Sequence, residues 1–187
     1  MILESWPWKR DLARRAEVIR LRKTQQRWSE ASFAAVERDL FVSAYSIRKL
    51  MDAGKISDEV ESMSFEVTYH RPRGSRAVDF MNRDKLDELY DLSRGTATEI
   101  SIRKLCNQII HSFVFTPMLE EGGGLAGFFV ASDSEKERRL LYFSVDALIN
   151  VLVRVAEDDI VSMSVRRDMV GGPAKIVTKS SRPEPAR

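Results

Sequence analysis

An α+β fold is what the hydrophobic patterning of this chain predicts, and three observations carry the prediction. Apolar residues recur with steps of three and four over 33–51, the period of a helix. They alternate with polar residues over 63–70, the period of a half-buried strand. From 113 to 145, short apolar runs are separated by polar and glycine-rich turns, as in an antiparallel meander. The expected architecture is an N-terminal helical hairpin packed with an antiparallel sheet (the meander about 113–145) and further helices.

The first helix is expected at about 9–28. This segment lacks Pro and Gly and is rich in Arg, Leu and Ala, and Pro7 suits its entry. Leu12, Ala16 and Ile19 form its apolar face. The second helix carries Phe33, Val36, Leu40, Ala44, Ile47 and Met51, with Ser32 as its cap and Gly54 as its stop. A turn at Ser29, Glu30 and Ala31 joins the pair.

Met63, Phe65, Val67 and Tyr69 then line one face of a strand, which a basic turn at 71–76 ends. Leu86, Leu89 and Tyr90 predict a short helix. Thr96-Ala97-Thr98-Glu99 matches a capping box, so a helix is expected from Thr96 to about Ser112. Its buried face would hold Ile102, Leu105, Cys106, Ile109 and Phe113. Segments at 113–115, 125–131 and 140–145 supply the meander, and a Val- and Leu-rich helix follows from Asp146 to about Glu157. Val161, Met163 and Val165 alternate again, and Ile176-Val177 reads as a short edge strand. The whole is expected to be one domain over 1–178, with a disordered tail at 179–187.

Composition limits the function classes. The chain has 187 residues, enough for a sizeable core without a disulfide or metal staple. Its one cysteine, Cys106, excludes an intramolecular disulfide framework and suggests a reducing, cytoplasmic compartment. No stretch reads as a signal peptide or a transmembrane helix; the longest apolar-rich one, Val145 to Ala156, contains Asp146, Asn150 and Arg154. Two histidines and one cysteine offer no metal-ligand spacing, so neither a metal nor another cofactor is expected. Gly122-Gly123-Gly124 is followed by no Gly-Lys-Ser/Thr and reads as a flexible turn, not a phosphate loop.

Charge distribution is more informative than net charge. Eight basic residues between Lys9 and Arg27 face only Asp11 and Glu17, a local balance of +6 in a chain whose total is +2. Such a helix can bind phosphates through counterion release, and Trp6, Trp8 and Trp28 can stack on bases or anchor a partner. The partner-binding candidates are therefore Trp6, Trp8, Arg10, Arg14, Arg15, Arg22, Lys23, Arg27 and Trp28. The partner would be an acidic protein or nucleic acid, and homo-oligomerisation stays open. The competing reading is that these cations pair with the chain's own acids, for example Asp58, Glu59 and Glu61.

One stripe has a chemical look. Arg103, Asn107 and His111 recur every four residues, so each is rotated about 40° from the last on a helix. Histidine moves protons near neutrality and arginine holds phosphate. The alternative is an ordinary exposed helix face. Asn107 and His111 also resemble the motif of the HEPN family, helical proteins that include many ribonucleases of bacterial toxin and defence systems. The family's arginine falls on Cys106. That resemblance implies a metal-independent ribonuclease, with His111 as proton carrier, Asn107 as orienter and Arg103 on phosphate, or a non-catalytic relative. With no strong catalytic motif, the leading expectation is a non-enzymatic binding or accessory protein acting through its basic N-terminal helix.

Overall fold

Two hydrophobic clusters, one on each face of a five-stranded sheet, organise the fold. The computed structural model describes residues 2–74, 76–166 and 175–180. Six helices occur among them: α1 (Trp6–Arg22), α2 (Glu30–Asp52), α3 (Asp58–Glu61), α4 (Leu86–Leu89), α5 (Ile102–Ile110) and α6 (Val145–Ala156). Seven strands accompany them: β1 (Ser64–His70), β2 (Thr96–Ser101), β3 (Ser112–Leu119), β4 (Leu125–Ser132), β5 (Leu140–Ser144), β6 (Ile160–Arg166) and β7 (Lys175–Ser180). The main sheet has the order β2-β1-β5-β4-β3 and is antiparallel throughout. The expected meander is its β3-β4-β5 half. β6 and β7 form a separate antiparallel pair.

Strand alternation sends side chains to opposite faces. Val67 of β1, Phe128 and Val130 of β4 and Leu141 and Phe143 of β5 face a layer built from α1, α2, α5 and α6. Val114, Phe129, Ala131 and Leu140 face the other way. There Val78, Leu86, Leu89 and Tyr90 of the long β1–β2 connection cover them. Tyr90 is fully buried, and its hydroxyl donates to the Lys136 carbonyl at 2.8 Å, which pins that connection to the β4–β5 turn.

Helix boundaries depart from the sequence expectations in four places. α1 ends at Arg22 rather than 28, so Arg27 and Trp28 lie in the link to α2. The cap of α2 is Ser29, whose hydroxyl accepts from the Ser32 amide, which moves the turn to residues 23–29. Thr96 caps nothing. Thr96, Thr98 and Ile100 are β-branched residues at alternate positions, and the segment pairs with β1 from Tyr69↔Thr96 to Ser64↔Ser101. The true cap of α5 is Ser101, which accepts from the Lys104 amide. α5 stops at Ile110, and Phe113 belongs to β3. At the chain's end, Ile176 and Val177 form part of the longer β7, which also takes in Lys179 and Ser180 from the expected tail. The rest of that tail, 181–187, lies outside the described residues.

Gly54 ends α2 as expected, at φ 62°. The Gly122–Gly124 turn has a different role from the flexible one expected. A Cβ on Gly124 would overlap the Lys23 carbonyl oxygen, and one on Gly123 would crowd the Gln26 backbone. Gly123 also has φ 89°. The turn thus packs tightly under the α1–α2 link, where Trp28 Nε1 donates to the Gly123 carbonyl at 2.7 Å.

Candidate partner-binding surface

Helix α1 divides into an anchored side and a free side. Leu12, Ala16 and Ile19 are fully buried, chiefly against α6. Lys9 lies on the same side and is nearly buried. Its ammonium donates to the Asp158 carbonyl oxygen just after α6. Burial pulls the Lys9 pKa below its usual value, while the charges of Asp158 and Asp159 oppose that shift. The Asp158 carboxylate faces the other way and accepts from the amide and the hydroxyl of Ser57, both at 2.7 Å. Next to it, the Asp58 amide donates to Thr178 Oγ1 at 3.0 Å. This buried polar knot joins α1, the turn before α3, the end of α6 and β7.

The remaining cations show how the arm is neutralised. Arg15 is mostly buried and bridges Asp11 of its own helix and Asp39 of α2. Burial alone would raise the Asp11 pKa. Hydrogen bonds from Arg15 and Arg14 more than offset that and hold it below the usual carboxylate range. Arg20 pairs with Glu17, Arg22 donates to Gln25, and Lys23 reaches Asp146 in the first turn of α6 at 2.7 Å. Self-pairing thus occurs, but with partners other than Asp58, Glu59 and Glu61. Glu61 is bonded to Arg103 instead.

What stays available is narrower than the sequence list. Trp8 and Trp28 pack against the core, and Trp28 stacks on Phe33 with centroids 4.8 Å apart. Trp6 is 57% exposed, and the Arg10 guanidinium lies over its ring at 4.7 Å. Arg14 is highly exposed, holding Asp11 at 2.9 Å with one edge of its fork. Trp6, Arg10 and Arg14 follow one another at four-residue steps and so form one stripe. Arg27 is exposed in the link, with no carboxylate partner among the described residues. Beside the N-terminal end of α1 lies an open concavity of about 820 Å³, lined by Ile2, Trp8, Tyr45, Ala53 and Met163 among others.

The Arg103–Asn107–His111 stripe is shorter than the spacing implies. Arg103 donates to Glu61 through two nitrogens and reaches Asp52 at 3.3 Å. Asn107 is half-buried. His111 is the exposed C-cap of α5, with φ −103° and ψ 20° turning it out of helical phase. No hydrogen bond joins the three side chains among the described residues. Cys106 is buried on the apolar face, as expected, and desolvation pushes its pKa up to about 12. Among the described residues, no group of three or more His, Cys, Asp or Glu is placed to hold a metal, and no helix is long and apolar enough to cross a membrane.

Sequence reasoning passed over the loop at 77–85. Its tip residues Phe80 and Met81 are 73% and 83% exposed, more than any other aromatic or methionine among the described residues. The available signal was an apolar pair between Asp79 and Asn82, two residue types that build tight turns. No known family model, curated protein or solved structure matches the chain.

Proposed function

We propose that this chain is a non-enzymatic binding protein that holds an acidic protein surface against the outer stripe of α1. The observation that carries the reading is the Trp6–Arg10–Arg14 stripe. An exposed indole lies under one guanidinium, beside a second, on a helix held at both ends. Tryptophan and arginine are the residue types that dominate interface energetics. Pinning by Lys9–Asp158 and Lys23–Asp146 means that little backbone ordering remains to oppose binding.

An acidic protein fits this stripe better than nucleic acid does. Asp11 and Glu17 interrupt the exposed cations, and Arg15, Arg20 and Lys23 are already paired. A polyanion gains most from an unbroken cationic track, whereas a few separated cations suit a few separated carboxylates.

The test is affinity capture with the intact chain and with a Trp6→Ala/Arg10→Ala/Arg14→Ala variant, followed by identification of what co-purifies and titration of the isolated partner. The expected result is an acidic protein whose affinity falls at least tenfold in the variant, with only modest salt dependence. Equal affinity for both forms, or recovery of nucleic acid alone with a steep salt dependence, would remove the reading.

A further inference from the structure

The 77–85 loop is built rigidly around an exposed tip. Asn82 is fully buried, its carbonyl accepting from the Asp79 amide at 2.9 Å and its amide donating to the Ala77 carbonyl at 2.9 Å. Asp79 in turn accepts from the Met81 amide at 2.8 Å, and Glu137 accepts from the Val78 amide at 2.8 Å. A loop satisfied in this way holds Phe80 and Met81 in water although nothing in its own backbone requires them to be apolar.

A cleft of about 350 Å³ lies directly beside that tip. Phe41 of α2 and Phe113 and Phe115 of β3 line it, with Glu37, Arg83 and Asp84 at its polar margin. Phe113 and Phe115 would share a face in a regular strand. The register shift between Ser112 and Val114 is a bulge that turns Phe113 to the loop side, where it meets Phe80 at 4.9 Å. Phe115 stays on the helical side against Phe41, at 5.5 Å. The cleft therefore opens along the outer edge of β3, an end strand of the sheet.

Charges around the tip differ from their neighbours. Arg76, Lys85, Lys136 and Arg139 each pair with a carboxylate. Arg83 has only the rings of Phe80 and Phe113, at 5.2 and 5.9 Å, and makes no ion pair among the described residues. Glu37 and Asp84, on the same margin, make none either. One small patch thus holds an exposed apolar plug, an aromatic cleft, a free cation and two free carboxylates.

We infer that the occupant of this surface is a second copy of the chain, in a two-fold dimer where the Phe80–Met81 tip of each copy enters the aromatic cleft of the other. An isologous contact requires each patch to carry both halves of every interaction, and this one does. Plug and cleft adjoin, so one axis beside the loop closes both insertions at once. Arg83 of each copy then faces Glu37 and Asp84 of the other. The inference is independent of the α1 reading, because it uses the 77–85 loop, the outer edge of β3 and the margin of α2, and no residue of α1.

Sedimentation of the full chain over a concentration series tests it. The expected result is a monomer–dimer equilibrium whose dissociation constant rises at least tenfold in Phe80→Ser/Met81→Asp. Both side chains are exposed in the single chain, so the circular dichroism spectrum should match wild type, and the melting temperatures should match at concentrations where both proteins are monomeric. Arg83→Glu alone should weaken the dimer by roughly tenfold, and adding Glu37→Arg should restore it. A wild-type chain that stays monomeric at every concentration overturns the inference, as does a dimer of unchanged strength in the Phe80/Met81 variant.

Discussion

Helix α1 and the 77–85 loop both reach solvent, but they arrive there by different routes. α1 holds the densest positive charge in the chain, and folding neutralises much of it. Lys9 points inward, Arg15 is locked between two aspartates, and Arg20 and Lys23 find partners. The loop is unremarkable in composition, and folding leaves its apolar tip and one arginine uncovered. A run of charge therefore measures how many ions must be placed, not how many remain available. Two apolar residues in a polar loop say nothing of their exposure until the rest of the core is known.

If the anchored side of α1 is as rigid as the knot around Asp158 implies, breaking that knot should have the largest effect. Asp158→Ala removes both acceptors of Ser57 and a charge near Lys9, and should cost about 3–5 kcal/mol of stability in urea unfolding. Lys9→Met is the informative contrast. It exchanges a desolvated ammonium for an apolar chain of similar length and should stay within about 1 kcal/mol of wild type. Equal, large losses in both would mean that the lysine's charge, not only the carboxylate, holds the helix.

Gly124→Ala addresses the other end of the helix. The added methyl meets the Lys23 carbonyl, and overpacking of this kind costs about 1–3 kcal/mol. A melting temperature equal to wild type would show that the turn gives way easily.

Cys106 yields a pH dependence. Its folded pKa, raised from 9.0 to about 12, means that the unfolded chain loses its thiol proton first as pH rises. Below 9.0 both states keep the proton. Between 9.0 and 12 the unfolded state binds fewer protons and stability falls, by about 1.4 kcal/mol one unit above 9.0. Lys9, with its pKa lowered, acts in the opposite direction above its folded value. Cys106→Val should therefore flatten the alkaline loss relative to wild type. A thiol that reacts with iodoacetamide as fast in the native as in the urea-unfolded protein would contradict the burial behind this argument.

The smallest effects on stability belong to the exposed stripe. Trp6→Ala and Arg14→Ala should each change it by no more than about 0.5 kcal/mol. Calorimetric melting that shows a larger drop for Trp6→Ala would place the indole in the fold rather than at an interface, and would weaken the α1 proposal.

The sequence by itself determined the α+β class, the α2 stripe, the β1 alternation, the three-stranded meander and the burial of Cys106, because each follows from local hydrophobic period. It also identified Leu12, Ala16 and Ile19 as the buried side of α1. The segment at 96–101 was beyond it. A capping-box pattern and a β-branched alternation coexist there, and pairing with β1 settles which one is used. The candidate surfaces needed tertiary structure more than any element did. Asp39, Asp146 and Asp158 neutralise or anchor α1 from 24 to 149 residues away. A bulge in β3 turns Phe113 toward Phe80, 33 positions earlier in the chain. Ion pairing and exposure are set by what packs alongside, and no local pattern encodes contacts between segments that far apart.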